Sequence, residues 1–104
     1  MMVLRGVNIF PIQIEQVLMQ FKELASDYLI TLDSRENGDF MRVEVEMLNV
    51  NLDDYPSLKN LEKSIASRLR DEILITPEVK LLPKNSLPKA EGKAVRVKDL
   101  RKQY

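Results

Sequence analysis

Residues 27–48 read DYLITLDSRENGDFMRVEVEML, and this stretch decides the fold. Two strand-like runs flank Asn37-Gly38, the preferred pair for a two-residue hairpin turn because both residues accept positive φ. In the second run Met41, Val43, Val45 and Met47 alternate with Arg42, Glu44 and Glu46. That period of two predicts one buried face and one face turned to water. Tyr28, Ile30 and Leu32 supply the matching apolar positions of the first run.

Upstream, Met2–Leu4 and Val7–Phe10 lie on either side of Arg5-Gly6 and predict a tight N-terminal hairpin. Pro11 suits the first turn of a helix, where its missing N–H is no loss. Ile14, Val17, Leu18, Phe21 and Leu24 recur at three- and four-residue spacing, which predicts a helix ending near Ala25-Ser26-Asp27. Downstream, Asp53-Asp54 stands where it would favour the positive end of a second helix. Leu58, Leu61, Ile65, Leu69 and Ile73 give that helix its apolar stripe, and Pro77 stops it. Val79–Leu82 then reads as a short strand bounded by Pro83, followed by a basic segment anchored by Val95, Val97 and Leu100. The order predicts an α+β fold: a small split β-α-β sandwich (β-α-β-β-α-β, ferredoxin-like). It would have a mostly antiparallel sheet, two helices on one face, an N-terminal β-hairpin and a basic C-terminal segment. A single domain would fill residues 1–104, with the hairpin in 1–10, the sandwich core in 11–82 and the closing segment in 83–104.

Composition narrows the chemistry. At 104 residues, with 44% hydrophobic and 31% charged residues, the chain suits one small globular domain. With no cysteine and no histidine, disulfides, a zinc site and the usual nucleophile–histidine systems are excluded, so no metal site is expected. No apolar run approaches the ~20 residues needed to span a bilayer. The N-terminus also lacks a charged region leading into an apolar core, which predicts a cytoplasmic protein with no membrane partner. Nucleic acid is an unsuitable partner, because base stacking needs aromatics on the open sheet face and that face offers Arg42, Glu44 and Glu46. Neither GxGxxG nor GxxxxGK[ST] occurs, so the chain has no phosphate-cradling glycine loop of its own. The paired carboxylates, such as Asp71-Glu72, fit helix capping and solvent exposure better than acid–base chemistry.

The formally neutral chain is electrically divided. Residues 83–104 carry seven basic and two acidic residues, a net +5, and residues 1–82 carry nine and fourteen, a net −5. This asymmetry points to a basic segment directed at an anion, or to a solubilising tail. Two glycine-marked places stand out, Arg5-Gly6 at a hairpin tip and Gly92-Lys93 in a loop. Spacing alone leaves Lys93 a solvated lysine.

Taken together, LRGVNIFPIQIEQVL near the start and LPKAEGKAVRVKDLR near the end resemble the C-terminal domain of the phenylacetate–coenzyme A ligases, which are adenylate-forming acyl-CoA synthetases. The resemblance spans essentially the whole chain and includes the strand pair ending in VEVE. It implies a mobile lid of an ATP-dependent aryl-CoA ligase that converts phenylacetate, ATP and coenzyme A to phenylacetyl-CoA, AMP and pyrophosphate. The partners it implies are a large N-terminal adenylation domain, an aromatic carboxylic acid, ATP, Mg²⁺ and coenzyme A. Lys93 would be the catalytic residue, clamping the acid and adenylate oxygens during adenylation. Arg5, Gly6 and Gly92 would serve the adenylate loop or the passage of coenzyme A. Arg5 has two readings of equal weight, a contact to a phosphate of coenzyme A or a docking contact. Arg96 and Arg101 would brace the C-terminal segment against acidic partners. The chain departs from the family pattern at Ile12 and at Lys89-Ala90, where hydroxyl residues and Arg-Ser are usual. The ATP-binding motifs are missing, so the lid is expected to be inactive by itself. A competing reading is a stand-alone ligand-sensing or dimerising module, a homodimer built through free edge strands.

Overall fold

The computed structural model describes residues 2–35, 38–48, 55–84, 86–87 and 97–101. Strands β1 (Met2–Leu4) and β2 (Val7–Ile9) pair antiparallel, with Leu4 opposite Val7. The two residues left between them, Arg5 at φ 51° and Gly6 at φ 79°, make the primed turn whose twist suits a two-residue hairpin. Helix α1 (Pro11–Leu18) starts on proline, and the Gln13 side chain accepts a hydrogen bond from the Phe10 N–H at 2.9 Å.

Helix α1 ends sooner than its apolar spacing predicts. Gln20 and Phe21 donate to the Val17 and Leu18 carbonyls in tight turns, and Leu24 already belongs to the next strand, opposite Met47. Phe21 and Leu24 reach the same core as the helix, one from the turn and one from the strand, and so imitate its period.

Strands β3 (Leu24–Arg35) and β4 (Gly38–Met47) form the expected hairpin, in continuous register from Tyr28 opposite Val45 to Arg35 opposite Gly38. Asn37 lies outside the described residues, as do Asp53 and Asp54. Helix α2 (Tyr55–Ile73) follows, with Pro56 in its first turn. It closes on Leu74, whose φ of 67° is left-handed and whose N–H donates to the Arg70 carbonyl at 2.9 Å. Strand β5 (Glu78–Leu82) runs parallel to β4, and β6 (Val97–Asp99) runs parallel to β3.

The strand order of the main sheet is β5-β4-β3-β6, and the N-terminal hairpin forms a separate two-stranded sheet. The α+β sandwich is therefore as expected, but the main sheet is mixed rather than mostly antiparallel. Part of the basic segment is its fourth strand. An unpaired β3 edge would leave a row of backbone groups without partners, and Val97–Asp99 fills it.

One apolar cluster joins all these parts. Ile14, Val17 and Leu18 of α1 and Ile65, Leu69 and Ile73 of α2 share it with Ile30, Leu32, Met41, Val43 and Val45 of the sheet. Met2, Leu4 and Ile9 bring the N-terminal hairpin into it. The opposite sheet face departs from the expected wet surface. Glu46 is only 1% exposed, and its Oε2 accepts a hydrogen bond from the Leu87 N–H at 2.9 Å. A buried carboxylate is tolerated only where donors meet it, and the chain leaving β5 supplies one.

Arg101 ties the ends of the chain together. Its guanidinium donates twice to the Asp99 carboxylate (2.9 and 3.0 Å), once to Asp39 Oδ2 (3.0 Å) and once to the Val3 carbonyl (2.6 Å). The bracing role expected of Arg101 is thus present; Arg96 lies outside the described residues. Hydrogen bonds from the Arg101 side chain and backbone hold the Asp99 carboxyl below the usual carboxylate range, and the Asp99 contact raises the Arg101 guanidinium above its ordinary value.

Two stability measurements check this account. Leu74 is exposed and left-handed, so Leu74→Gly should raise the unfolding free energy by about 0.5–1 kcal/mol in urea denaturation. Because the Asp99 pKa is lowered on folding, its ionised form contributes stability above the ordinary carboxylate pKa of ~4 and loses it as pH falls through the folded value. The stability gap between the native chain and Asp99→Asn should therefore be present at neutral pH and close on acidification.

Candidate functional site

The first candidate region is the tip of the β1–β2 hairpin. Gly6 is exposed, and a Cβ placed there would meet nothing within 4 Å. Its positive φ, rather than packing, is what requires glycine. Arg5 also sits in the left-handed region, a strained position for a non-glycine residue. Its side chain turns back across the β3–β4 hairpin, where Nε donates to the Asp39 carbonyl at 3.0 Å. This contact is internal to the domain and decides neither reading of Arg5.

The second region is the C-terminal segment. Gly92 and Lys93 lie outside the described residues, and the structure describes the frame that brackets them. Upstream, Leu87 is held by Glu46. Downstream, β6 pairs with β3, and the Leu100 N–H donates to the Leu32 carbonyl at 2.7 Å. Arg101 then closes on Asp99 and Asp39.

Asp39 is where the two ends meet. Arg5 reaches its carbonyl from the N-terminal hairpin, and Arg101 reaches its carboxylate from the C-terminal segment. The Ser34 hydroxyl adds a weaker contact to the same carboxylate at 3.4 Å. The two quoted motifs, at opposite ends of the sequence, are therefore neighbours on one edge of the fold.

Sequence reasoning passed over Asp39, Asp99 and Glu46. Asp39 follows a turn glycine and looks like ordinary turn polarity, and Glu46 continues an alternation that normally marks solvent. The only available signal for Asp99 was its place two residues before an arginine in the closing motif. Among the described residues no group of three or more Asp, Glu, Cys or His side chains could hold a metal ion. No helix of the described residues is long and apolar enough to cross a membrane.

Comparison with known proteins agrees with this geometry. Residues 6–101 match the family described as AMP-binding enzyme C-terminal domain. A crystal structure of a domain of phenylacetate-coenzyme A ligase from Bacteroides vulgatus superimposes with a TM-score of 0.91 at 60% identity, covering all of this chain and 95% of that one. Phenylacetate-coenzyme A ligase from Escherichia coli is 31% identical over 102 residues, which are 97% of this chain and 23% of that enzyme. A 2-hydroxyisobutyryl-CoA ligase in complex with 2-HIB-AMP and CoA, in its thioesterification state, matches with a TM-score of 0.85 at 25% identity, over 97% of this chain and 21% of that one. The chain thus spans about a quarter of the length of the curated relatives it matches. By sequence and by fold, the chain belongs to the AMP-binding enzyme C-terminal domain family, in the form found in phenylacetate–coenzyme A ligases.

Proposed function

We propose that this chain is the mobile lid of an ATP-dependent ligase that joins an aromatic carboxylic acid, phenylacetate in the first instance, to coenzyme A. Its partner is a large N-terminal adenylation domain that holds ATP and the acid, in a cytoplasmic enzyme. The domain is read as one unit over residues 1–104, with the hairpin (1–10) and the closing segment (83–104) flanking the sandwich core (11–82). One observation supports this reading above others: the chain matches a phenylacetate-coenzyme A ligase domain along its full length, with both end motifs present.

In the first half-reaction a carboxylate oxygen attacks the α-phosphorus of ATP. The bond to pyrophosphate breaks, leaving an acyl-adenylate. Two anionic groups must approach each other, and Lys93 meets their oxygens with a compact ammonium on a long stem. Gly92 leaves the backbone beside it free of a side chain. Lys93 acts as an electrostatic clamp, neither base nor nucleophile. In the second half-reaction the thiol sulfur of coenzyme A attacks the acyl carbon, the C–O bond to the adenylate phosphate breaks with its electron pair leaving on AMP, and the thiol proton passes to solvent. The lid turns, withdrawing Lys93 and presenting the Arg5-Gly6 hairpin to the thiol's route. The described acidic side chains form no cluster suited to Mg²⁺, so no step of this chain is routed through that ion. Exposed Val3, Phe10 and Ile12 beside the hairpin offer apolar surface to the larger domain.

Lys93→Ala in the intact ligase tests the clamp. Adenylate formation, followed by pyrophosphate exchange, should fall by ~10²–10³. Thioester formation from supplied adenylate should largely survive. Equal loss of both half-reactions contradicts the assignment.

A further inference from the structure

We propose that Glu46 is a positioning residue for adenylation: it fixes the upstream end of the segment that carries Lys93. This inference rests on the reading of Lys93 above.

Glu46 sits on β4, an inner strand paired with β3 on one side and β5 on the other, so its backbone is fixed within the sheet. Its side chain points away from the helices and is almost wholly buried, beside its cross-strand neighbour Leu82. At such a position an apolar residue is the ordinary stabilising choice, because burying a carboxylate is unfavourable unless donors compensate it. This carboxylate catches the Leu87 amide at 2.9 Å, 41 residues along the chain. A carboxylate holds an amide more strongly than a neutral acceptor does.

Leu87 stands six residues before Lys93. Before it, the Ser86 backbone and hydroxyl both donate to the Pro83 carbonyl, turning the chain after β5. At the far end, Leu100 on Leu32 and Arg101 on Asp99 and Asp39 secure the chain again. The described residues on either side of Lys93 are therefore both secured, and Glu46 holds the upstream one, Leu87. On this proposal, releasing Leu87 removes the upstream support from which the chain leads to Lys93. It leaves the hairpin end of the lid untouched.

In the intact ligase, Glu46→Ala should slow adenylation about 10- to 100-fold while leaving thioester formation from supplied adenylate within about twofold, as expected for a displacement near 1 Å. Glu46→Gln keeps an acceptor for the amide and should recover most of the rate. Leu87→Pro removes the amide without altering the core and should reproduce the loss. Glu44→Gln, on the same face of the same strand, should change neither half-reaction. Normal adenylation in Leu87→Pro, or equal slowing of both half-reactions, overturns the role of Glu46. If Glu46→Ala fails to fold, Leu87→Pro decides alone. Lys93→Ala run in parallel separates the two claims. Adenylation that survives it overturns the lysine assignment and this inference together. Loss with Lys93→Ala but not with Leu87→Pro overturns only the Glu46 role.

Discussion

Asp39 gripped from both ends of the chain is the contact on which the arrangement of the domain depends. The N-terminal hairpin shares no backbone ladder with the main sheet. Its orientation comes from Met2, Leu4 and Ile9 in the core, from Arg5 on the Asp39 carbonyl, and from Arg101 on both Asp39 and the Val3 carbonyl. An isolated surface ion pair would do little, since its Coulomb gain is offset by side-chain ordering and screening. Arg101 differs because one planar guanidinium serves two carboxylates and a carbonyl, so a single ordering cost supports several charge-assisted bonds. The hairpin and the C-terminal segment are thereby set relative to each other.

Much of this fold was legible in the sequence, for physical reasons that differ by element. The β3–β4 hairpin declared itself because turn chemistry and a strict period of two agreed, and Arg35 does stand opposite Gly38. Helix α2 was equally plain: Ile65, Leu69 and Ile73 all face the core. The end of α1 was not, because a turn and a strand start can place Phe21 and Leu24 where a longer helix would. Strand β6 was hidden by its basic flanks; three residues pairing with a distant edge carry almost no local signal. Glu46 misled most, since alternation reports the sheet face but not whether a later segment covers it.

The candidate site was legible in a different way. Composition and spacing left Lys93 a solvated lysine, and only the family resemblance carried by the motifs at the two ends proposes a role for it. The structure adds what the motifs could not. Their nearness arises through Asp39, a residue in neither motif, and the anchor upstream of Lys93 arises through Glu46 in a third. The hairpin keeps its own two-stranded sheet and is held beside the C-terminal end of the main sheet through Asp39 and Arg101.

The central claim is that these ends serve different half-reactions. Gly6→Asn tests it most directly, because asparagine tolerates the left-handed turn while adding bulk where the chain itself leaves open space. Measured in the intact ligase, thioester formation from supplied adenylate should fall by at least ~10-fold while adenylation stays within about twofold of the native rate. Unchanged thioester formation, or an equal fall in both steps, would contradict a two-ended lid.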